Sequence, residues 1–440
     1  MSRERTDTMK TVIMAGGKGT RISSVASDIP KPMIRVDGIP VLEREIECLH
    51  RQGFEDIIIT VSHLGNVITD YFGDGGGVSP STGQPFGVHI EYFYEKEPLG
   101  NAGALFKLKG RLTEEFLLLN GDAVFNVDFR RFVDFHRRHG ATATLFTHPN
   151  SHPYDSSLIV VDEHSAVQRW LTKEDARPLY YQNRVNAGLH VLSPEVLNTE
   201  LSTEKVDLDR QLLKPLAGTG KMFAYDSPEY VKDMGTPERY AMVCRDFQRG
   251  IVAAKNLQNQ QRAIFMDRDG TLNRYVGFLR DIEDFSLLPN TEEAVKKVND
   301  SGYLAIVATN QPVVARGEVT FPQLREIHNK LETLLGEKGA YLDGIYFCPH
   351  HPHKGYEGEV AELKCECGCR KPKPGLLVQA AKDLNIDLKA SWMVGDSESD
   401  IQAGIAAGCR TALIGEEAPN YGQNITAPTL LEAVCQILEL

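Results

Sequence analysis

The chain has 440 residues, about three times the length of a common domain, so two or three domains are expected and a single small domain is excluded. Apolar residues make up 42% and charged residues 25%, enough to bury ordinary cores and unlike a disordered chain. With 48 Lys and Arg against 60 Asp and Glu the net charge is −12, and there is no long basic run, so broad binding to nucleic acid or to an anionic membrane is not expected.

Phosphate substrates would therefore have to be met by a few placed Lys and Arg, backbone amides and a metal. No stretch approaches the roughly 18 uninterrupted apolar residues of a membrane span. Positions 1–10 (MSRERTDTMK) lack the apolar core of a signal peptide, so a cytoplasmic chain is expected. In a reducing compartment the eight Cys do not suggest disulfides. Cys348, Cys365, Cys367 and Cys369 instead cluster beside His350, His351 and His353, which points to a metal.

From Thr11 the pattern runs strand (TVIMAGG), helix (VLEREIECLHRQG), strand (DIIITVSH), the alternation of a parallel α/β sheet. Residues 73–87 (GDGGGVSPSTGQPFG) read as a surface insertion or a mobile lid. Residues 245–261 are polar and Gln/Asn-rich, as befits a last helix running into a connector, and the same grammar restarts at Arg262 with RAIFMDRDGT, TEEAVKKVNDSG, YLAIVATNQ and SWMVGDS. The expected architecture is α/β throughout: two tandem doubly wound domains over 10–245 and 262–440, joined by a linker at 246–261 with the boundary near Asn256.

The first chemical segment is VIMAGGKGTR, positions 12–21. After a strand, Gly16, Gly17 and Gly19 let backbone N–H groups approach phosphate oxygens, and Arg21 adds positive charge where a leaving pyrophosphate would build up. Pro30 and Pro32 then stiffen the chain around Lys31. With PLGNAGAL (98–105), LLLNGDAVF (117–125), NAGLHVL (186–192) and VKDMGTPERY (231–240) in that order, residues 10–245 resemble the sugar-1-phosphate nucleotidyltransferases, which implies a Rossmann-like, GT-A-like domain. The resemblance implies in-line attack of a sugar 1-phosphate on the α-phosphorus of a nucleoside triphosphate. By the same token Ala15, Gly16, Gly17, Gly19, Thr20 and Gly121 would line the nucleotide, Arg21 would neutralise the departing pyrophosphate and Lys31 would bridge the reacting phosphates. Asp122 and Asp233 would hold Mg²⁺. Gly100, Asn101 and Ala102 would lie against base and ribose, Asn186 and Gly188 against the sugar, and Lys173 would bind phosphate.

The second segment, IFMDRDGTLN (264–273), places Asp267 and Asp269 at i and i+2 directly after an apolar strand. One carboxylate there can attack phosphorus while the other handles the proton of the leaving oxygen. With ATNQ (308–311), RKPKPG (370–375) and VGDSESD (394–400) it resembles the haloacid dehalogenase-like (HAD-like) phosphatases. The resemblance implies Asp267 as nucleophile, Asp269 as general acid and base, Thr309 and Asn310 on the phosphoryl oxygens, and Lys371 neutralising them. Asp396, Asp267 and the Asp269 carbonyl would hold Mg²⁺.

Between these motifs, two Cys at i and i+2 and a distant Cys-x-His pair have the spacing of a closed, structural zinc site. Cys348, His350, Cys367 and Cys369 match the zinc loop of the heptose-bisphosphate and histidinol-phosphate phosphatases. Cys365 could exchange with Cys367, and His351 and His353 read as solvated neighbours. The same likeness implies substrate contacts for Arg370 and Arg316.

Together the halves imply a bifunctional enzyme. The second would remove the 7-phosphate of D-glycero-D-manno-heptose 1,7-bisphosphate, and the first, most like the heptose 1-phosphate guanylyltransferases, would join the product to GMP from GTP for lipopolysaccharide or S-layer glycan. Its partners would be small molecules, with a homo-oligomer left open. The alternatives are a histidinol-phosphate-type phosphatase fused to another transferase, and a first half that binds nucleotide sugar without turnover.

Overall fold

The computed structural model describes residues 9–16, 29–200, 203, 205–355, 357–416 and 419–440. Two compact units emerge: residues 1–148, 159–171 and 186–256 form the first, and 149–158, 172–185 and 257–440 the second. The second thus takes in two short segments from within the N-terminal half of the sequence. They are held by bonds inside that unit: the Tyr181 N–H donates to Thr333 Oγ1 at 2.9 Å, and Arg184 pairs with Glu332 at 3.0 Å.

The first unit is organised by a nine-stranded sheet. In chain order its strands are β1 (Lys10–Met14), β2 (Asp56–Val61), β3 (His89–Tyr94), β4 (Phe116–Asn120), β6 (Ala143–His148), β7 (Leu158–Val161), β8 (Val167–Leu171), β9 (Val185–Leu192) and β10 (Met222–Asp226). Two further strands, β5 (Ala123–Asn126) and β11 (Tyr230–Asp233), pair separately and antiparallel. The main order is β8-β7-β9-β4-β1-β2-β3, with β6 joining β9 to β10. Strands β4, β1, β2 and β3 are parallel, as the strand–helix alternation predicts, whereas β9 runs antiparallel to β4. Strand β9 is antiparallel to β7 as well, and residues 162–166 turn directly from β7 to β8 with no crossover helix, so the sheet is mixed.

Alternation along β1 sends Ile13 toward helix α1 (Val41–His50), with Leu42 and Ile46, and Val12 to the opposite face with Leu118 and Trp170. Both faces are covered, which is why Val12 and Ile13 are both apolar, and Thr11 beside them is buried as well. The Gly-rich segment 73–87 is not a free lid. Ser79, 3% exposed, donates to Glu43 of α1 at 2.5 Å, Tyr71 donates to the same carboxylate at 2.6 Å, and Val78 bridges Pro85. The glycines serve a tight, anchored turn.

The second unit carries a six-stranded, all-parallel sheet: β12 (Ala263–Met266), β13 (Leu304–Asn310), β14 (Gly344–Cys348), β15 (Trp392–Gly395), β16 (Arg410–Ile414) and β17 (Ile425–Ala427). Its order is β14-β13-β12-β15-β16-β17, so the winding reverses between β12 and β15. In open parallel sheets such a reversal leaves a crevice at the carboxyl ends of the strands. Three phosphatase motifs end there: Asp267 follows β12, Thr309 and Asn310 close β13, and Asp396 follows β15. The first unit repeats the logic, with Ala15 and Gly16 after β1 and Gly121 and Asp122 after β4.

Candidate active sites

In the first unit the Ala15 N–H donates to the Thr60 carbonyl and the Gly121 N–H to the Met14 carbonyl, both at 3.1 Å, so the ends of β1, β2 and β4 are tied side by side. Ser62 Oγ donates to the Gly16 carbonyl at 2.6 Å. Gly17, Gly19, Thr20 and Arg21 lie outside the described residues. Lys31 Nζ bonds Asp122 Oδ2 at 2.6 Å. Pairing of β11 with β5 sets Asp233 opposite Ala123, next to Asp122. Burial pushes the Asp233 carboxyl up, but the Gly235 N–H, the Arg239 guanidinium and the Lys31 ammonium outweigh it and hold it below its ordinary value. Two neighbouring carboxylates, each facing a cation, are a donor set that suits Mg²⁺, which takes one or two carboxylates and fills its shell with phosphate oxygens and water.

The other transferase candidates divide. Gly188 sits at φ +75°, and a Cβ there would fall 2.3 Å from Asn120 Nδ2, so only glycine lets β9 pass the end of β4. Asn186 Oδ1 accepts from the Gly188 N–H at 3.3 Å. Gly100 bridges Val206, Asn101 Oδ1 accepts from the Leu208 N–H at 2.7 Å, and Ala102 is buried, so this segment is braced from beneath. Lys173 is exposed in a turn that belongs to the second unit.

Sequence reasoning missed Glu45 on α1. It is 1% exposed, and neither carboxylate oxygen has a hydrogen-bond partner; burial first, and the Asp122 charge second, push it well above the usual carboxylate range. The signal was present as a Glu on the apolar face of an amphipathic helix. Glu95 was missed as well: its Oε1 would lie 3.2 Å from a Cβ on Gly16, and burial raises its carboxyl.

In the second unit Lys371, 1% exposed in its side chain, bonds Asp267 Oδ1 at 2.8 Å and Asp400 Oδ1 at 2.6 Å. Asp267, Asp396 and Asp400 offer oxygens that all lie within 4.8 Å of one another. Burial, reinforced by Asp267 and Asp400, pushes Asp396 up to about 7. Burial also raises Asp267, against the pull of Lys371. One ammonium among three carboxylates leaves two negative charges, the deficit that a divalent cation would fill. Asp400 was not singled out from the sequence, although it stands in the same VGDSESD segment. Gly270, at φ +86°, is required here, since a Cβ would fall 2.0 Å from Asp396 Oδ2.

Gln311 Nε2 donates to Thr309 Oγ1 at 3.0 Å. The Asn310 amide is engaged with the Lys371 backbone at 3.0 and 3.1 Å, so it holds the lysine's segment in place. Arg370 reaches the His350 carbonyl at 3.3 Å. Arg316 pairs with Glu318 at 2.8 Å and lies over the Phe278 ring.

Cys348, His350, Cys367 and Cys369 converge, with sulfur–sulfur distances of 3.2 to 3.6 Å and His350 Nδ1 at 3.4 and 3.6 Å from two of the thiols. Ligands about 2.0–2.3 Å from a common tetrahedral centre have such separations, so the cluster is consistent with a zinc site. Cys365 is exposed and outside the cluster, and His351 turns to the His353 carbonyl.

Each unit gathers carboxylates and a lysine at the carboxyl edge of parallel strands, and together they define a two-centre enzyme acting on phosphate esters. Residues 10–249 match the nucleotidyl transferase family and residues 368–430 the HAD-hydrolase-like family. The D-glycero-beta-D-manno-heptose-1,7-bisphosphate 7-phosphatase of Yersinia pestis is 43% identical over 152 residues, which is 34% of this chain and 79% of that protein. Its Escherichia coli K12 counterpart is 40% identical over 152 residues, 34% and 78% of the respective chains. Similar solved structures include HddC from Yersinia pseudotuberculosis, 26% identical, covering 54% of this chain and 99% of that one with a TM-score of 0.46. The D,D-heptose 1,7-bisphosphate phosphatase of B. bronchiseptica, complexed with magnesium and phosphate, is 29% identical over 41% of this chain and 99% of that one, with a TM-score of 0.35. The chain belongs to the nucleotidyl transferase family and, in its C-terminal part, to the D,D-heptose 1,7-bisphosphate 7-phosphatases.

Proposed function

We propose that the second unit converts D-glycero-D-manno-heptose 1,7-bisphosphate to the 1-phosphate, and that the first unit joins this product to GMP from GTP, releasing pyrophosphate. The observation that carries the proposal is the Asp267, Lys371, Asp396 and Asp400 cluster, in a segment 43% identical to a 7-phosphatase and fused to a nucleotidyl transferase half whose motifs resemble those of enzymes that use sugar 1-phosphates. GTP is the nucleotide chosen because the transferase motifs resemble the heptose 1-phosphate guanylyltransferases.

In the phosphatase step an Asp267 oxygen attacks phosphorus in line, the bond from phosphorus to O7 breaks, and Asp269 gives O7 its proton. Asp269 then takes a proton from the water that attacks the aspartyl phosphate, and inorganic phosphate leaves. Lys371 carries positive charge to the phosphoryl oxygens and keeps Asp267 oriented. Mg²⁺ held by Asp267, Asp396 and the Asp269 carbonyl would supply the remaining charge neutralisation.

In the transferase step a phosphate oxygen of heptose 1-phosphate attacks the α-phosphorus and pyrophosphate departs. Lys31 offsets the repulsion between the two anions, and Arg21 the charge on the leaving group. Mg²⁺ on Asp122 and Asp233 would clamp the triphosphate.

The test uses the full chain with each anomer of heptose 1,7-bisphosphate and each of the four nucleoside triphosphates, following phosphate and pyrophosphate by mass spectrometry. Asp267→Asn should abolish phosphate release yet leave transfer to supplied heptose 1-phosphate, and Asp122→Ala the reverse. Loss of both activities from either change, or no pyrophosphate with GTP, would overturn the proposal.

A further inference from the structure

Between the two aspartates of the phosphatase motif lies Arg268, which the proposed chemistry leaves without a role. Its side chain is 0% exposed, among the largest fully buried in the molecule. Burying a guanidinium is costly unless it is paired, and among the described residues its one anionic partner is Asp269. Arg268 sits in the bend that follows β12, with its side chain enclosed by the protein.

From there the guanidinium reaches forward. Nε and Nη2 donate to Asp269 Oδ1 at 3.3 and 3.0 Å, and Nη2 also donates to Asp269 Oδ2 at 2.8 Å. Gln311 completes a ring: its Oε1 accepts from Arg268 Nη2 at 2.9 Å and its Nε2 donates to Asp269 Oδ2 at 2.8 Å. Asn273 Nδ2 closes on Asp269 Oδ1 at 3.0 Å. Both oxygens of Asp269 are therefore held by three side chains. All three donors, Arg268, Gln311 and Asn273, are themselves buried, and such a shell fixes a carboxylate in one orientation far better than solvent does.

We propose that Arg268, acting with Gln311, is the positioning residue of Asp269: the buried guanidinium aims the carboxyl group that protonates the leaving alkoxide, without itself touching substrate. The inference rests on the reading of Asp269 as general acid. Its consequence is selective, since an alkoxide leaving from a sugar needs a proton whereas a nitrophenolate leaves without one.

The experiment compares kcat/KM for heptose 1,7-bisphosphate and for 4-nitrophenyl phosphate in the full chain. This parameter covers the steps through alcohol release and does not report hydrolysis of the aspartyl phosphate. Well-placed general acid catalysis contributes about 10²-fold or more. Arg268→Met should therefore lower kcat/KM for the sugar phosphate about 100-fold and for the aryl ester less than about threefold. Arg268→Lys, which keeps the charge but loses the planar fork, should recover part of the difference. Gln311→Met, a neutral exchange, gives the same reading if Arg268→Met does not fold.

Asp269→Asn run in parallel separates the two layers of the argument. If it loses both substrates equally, Asp269 is not the acid and the inference falls with that reading. If it is selective while Arg268→Met and Gln311→Met lower both substrates alike, Asp269 is the acid and the positioning role is refuted.

Discussion

Breaking the buried ion pair between Arg184 and Glu332 should cripple the phosphatase unit specifically. The two side chains are 7% and 3% exposed, 3.0 Å apart, and Glu332 also accepts the Asn183 N–H at 3.3 Å. Removing one partner of such a pair strands a buried charge and typically costs about 3–5 kcal/mol. Because Glu332 retains the Asn183 amide, Arg184→Met should fall near the lower end, about 3 kcal/mol. At about 2–4 °C per kcal/mol for a body of about 200 residues, that is a fall of about 6–12 °C in Tm.

The chain has two Trp, of which Trp170 lies in the first unit and the fully buried Trp392 in the second. A Trp170→Phe background therefore leaves a fluorophore that reports on the second unit alone. Urea titration in that background should show the loss for Arg184→Met, and Arg184→Met with Glu332→Leu should return to within about 1–2 kcal/mol of the parent, because a well-packed apolar pair replaces the charges. A cost below about 1 kcal/mol for Arg184→Met, or a double variant as weak as the sum of the singles, would refute the reasoning.

Three other outcomes are expected. His136, held at about 4, and His190, held at about 3, are kept neutral by burial in the first unit, so the unfolded state takes up protons that the native state refuses as pH falls below about 6.5. The histidine contribution should be level above pH 7 and decline by about 1.4 kcal/mol per pH unit for each histidine between pH 6 and 5, against the opposite slope of the raised Glu45 and Asp209 carboxyls, so the check is the difference between parent and His190→Gln urea midpoints read from Trp170 in a Trp392→Phe background. Cys367→Ser should lose the bound zinc measured by elemental analysis, together with phosphatase activity, while Cys365→Ser should change neither. Gly188→Ala, which forces a Cβ into Asn120 at positive φ, should cost at least about 1 kcal/mol and reduce pyrophosphate release while sparing phosphate release.

Much of the chemistry was readable without coordinates because it is local. Asp267 and Asp269 at i and i+2 after an apolar run, and two Cys at i and i+2 paired with Cys-x-His, are constraints that one strand end or one loop imposes on its own sequence. The alternation of apolar strands and amphipathic helices likewise announced two α/β units, and burial on both faces made β12 apolar at every position.

What the sequence could not disclose depends on residues far apart in the chain. The Gly-rich 73–87 segment reads as mobile until Ser79 and Tyr71 are seen bonded to Glu43. Glu45 stands on the apolar face of α1 in the sequence, but only the fold shows it buried beside Asp122. Asp400 becomes part of the phosphatase site only because Lys371, from another loop, is placed between it and Asp267. Local pattern determined which groups this protein carries. Tertiary packing decided which of them are desolvated together, and so which charges repel, which are paired, and where a cation is needed.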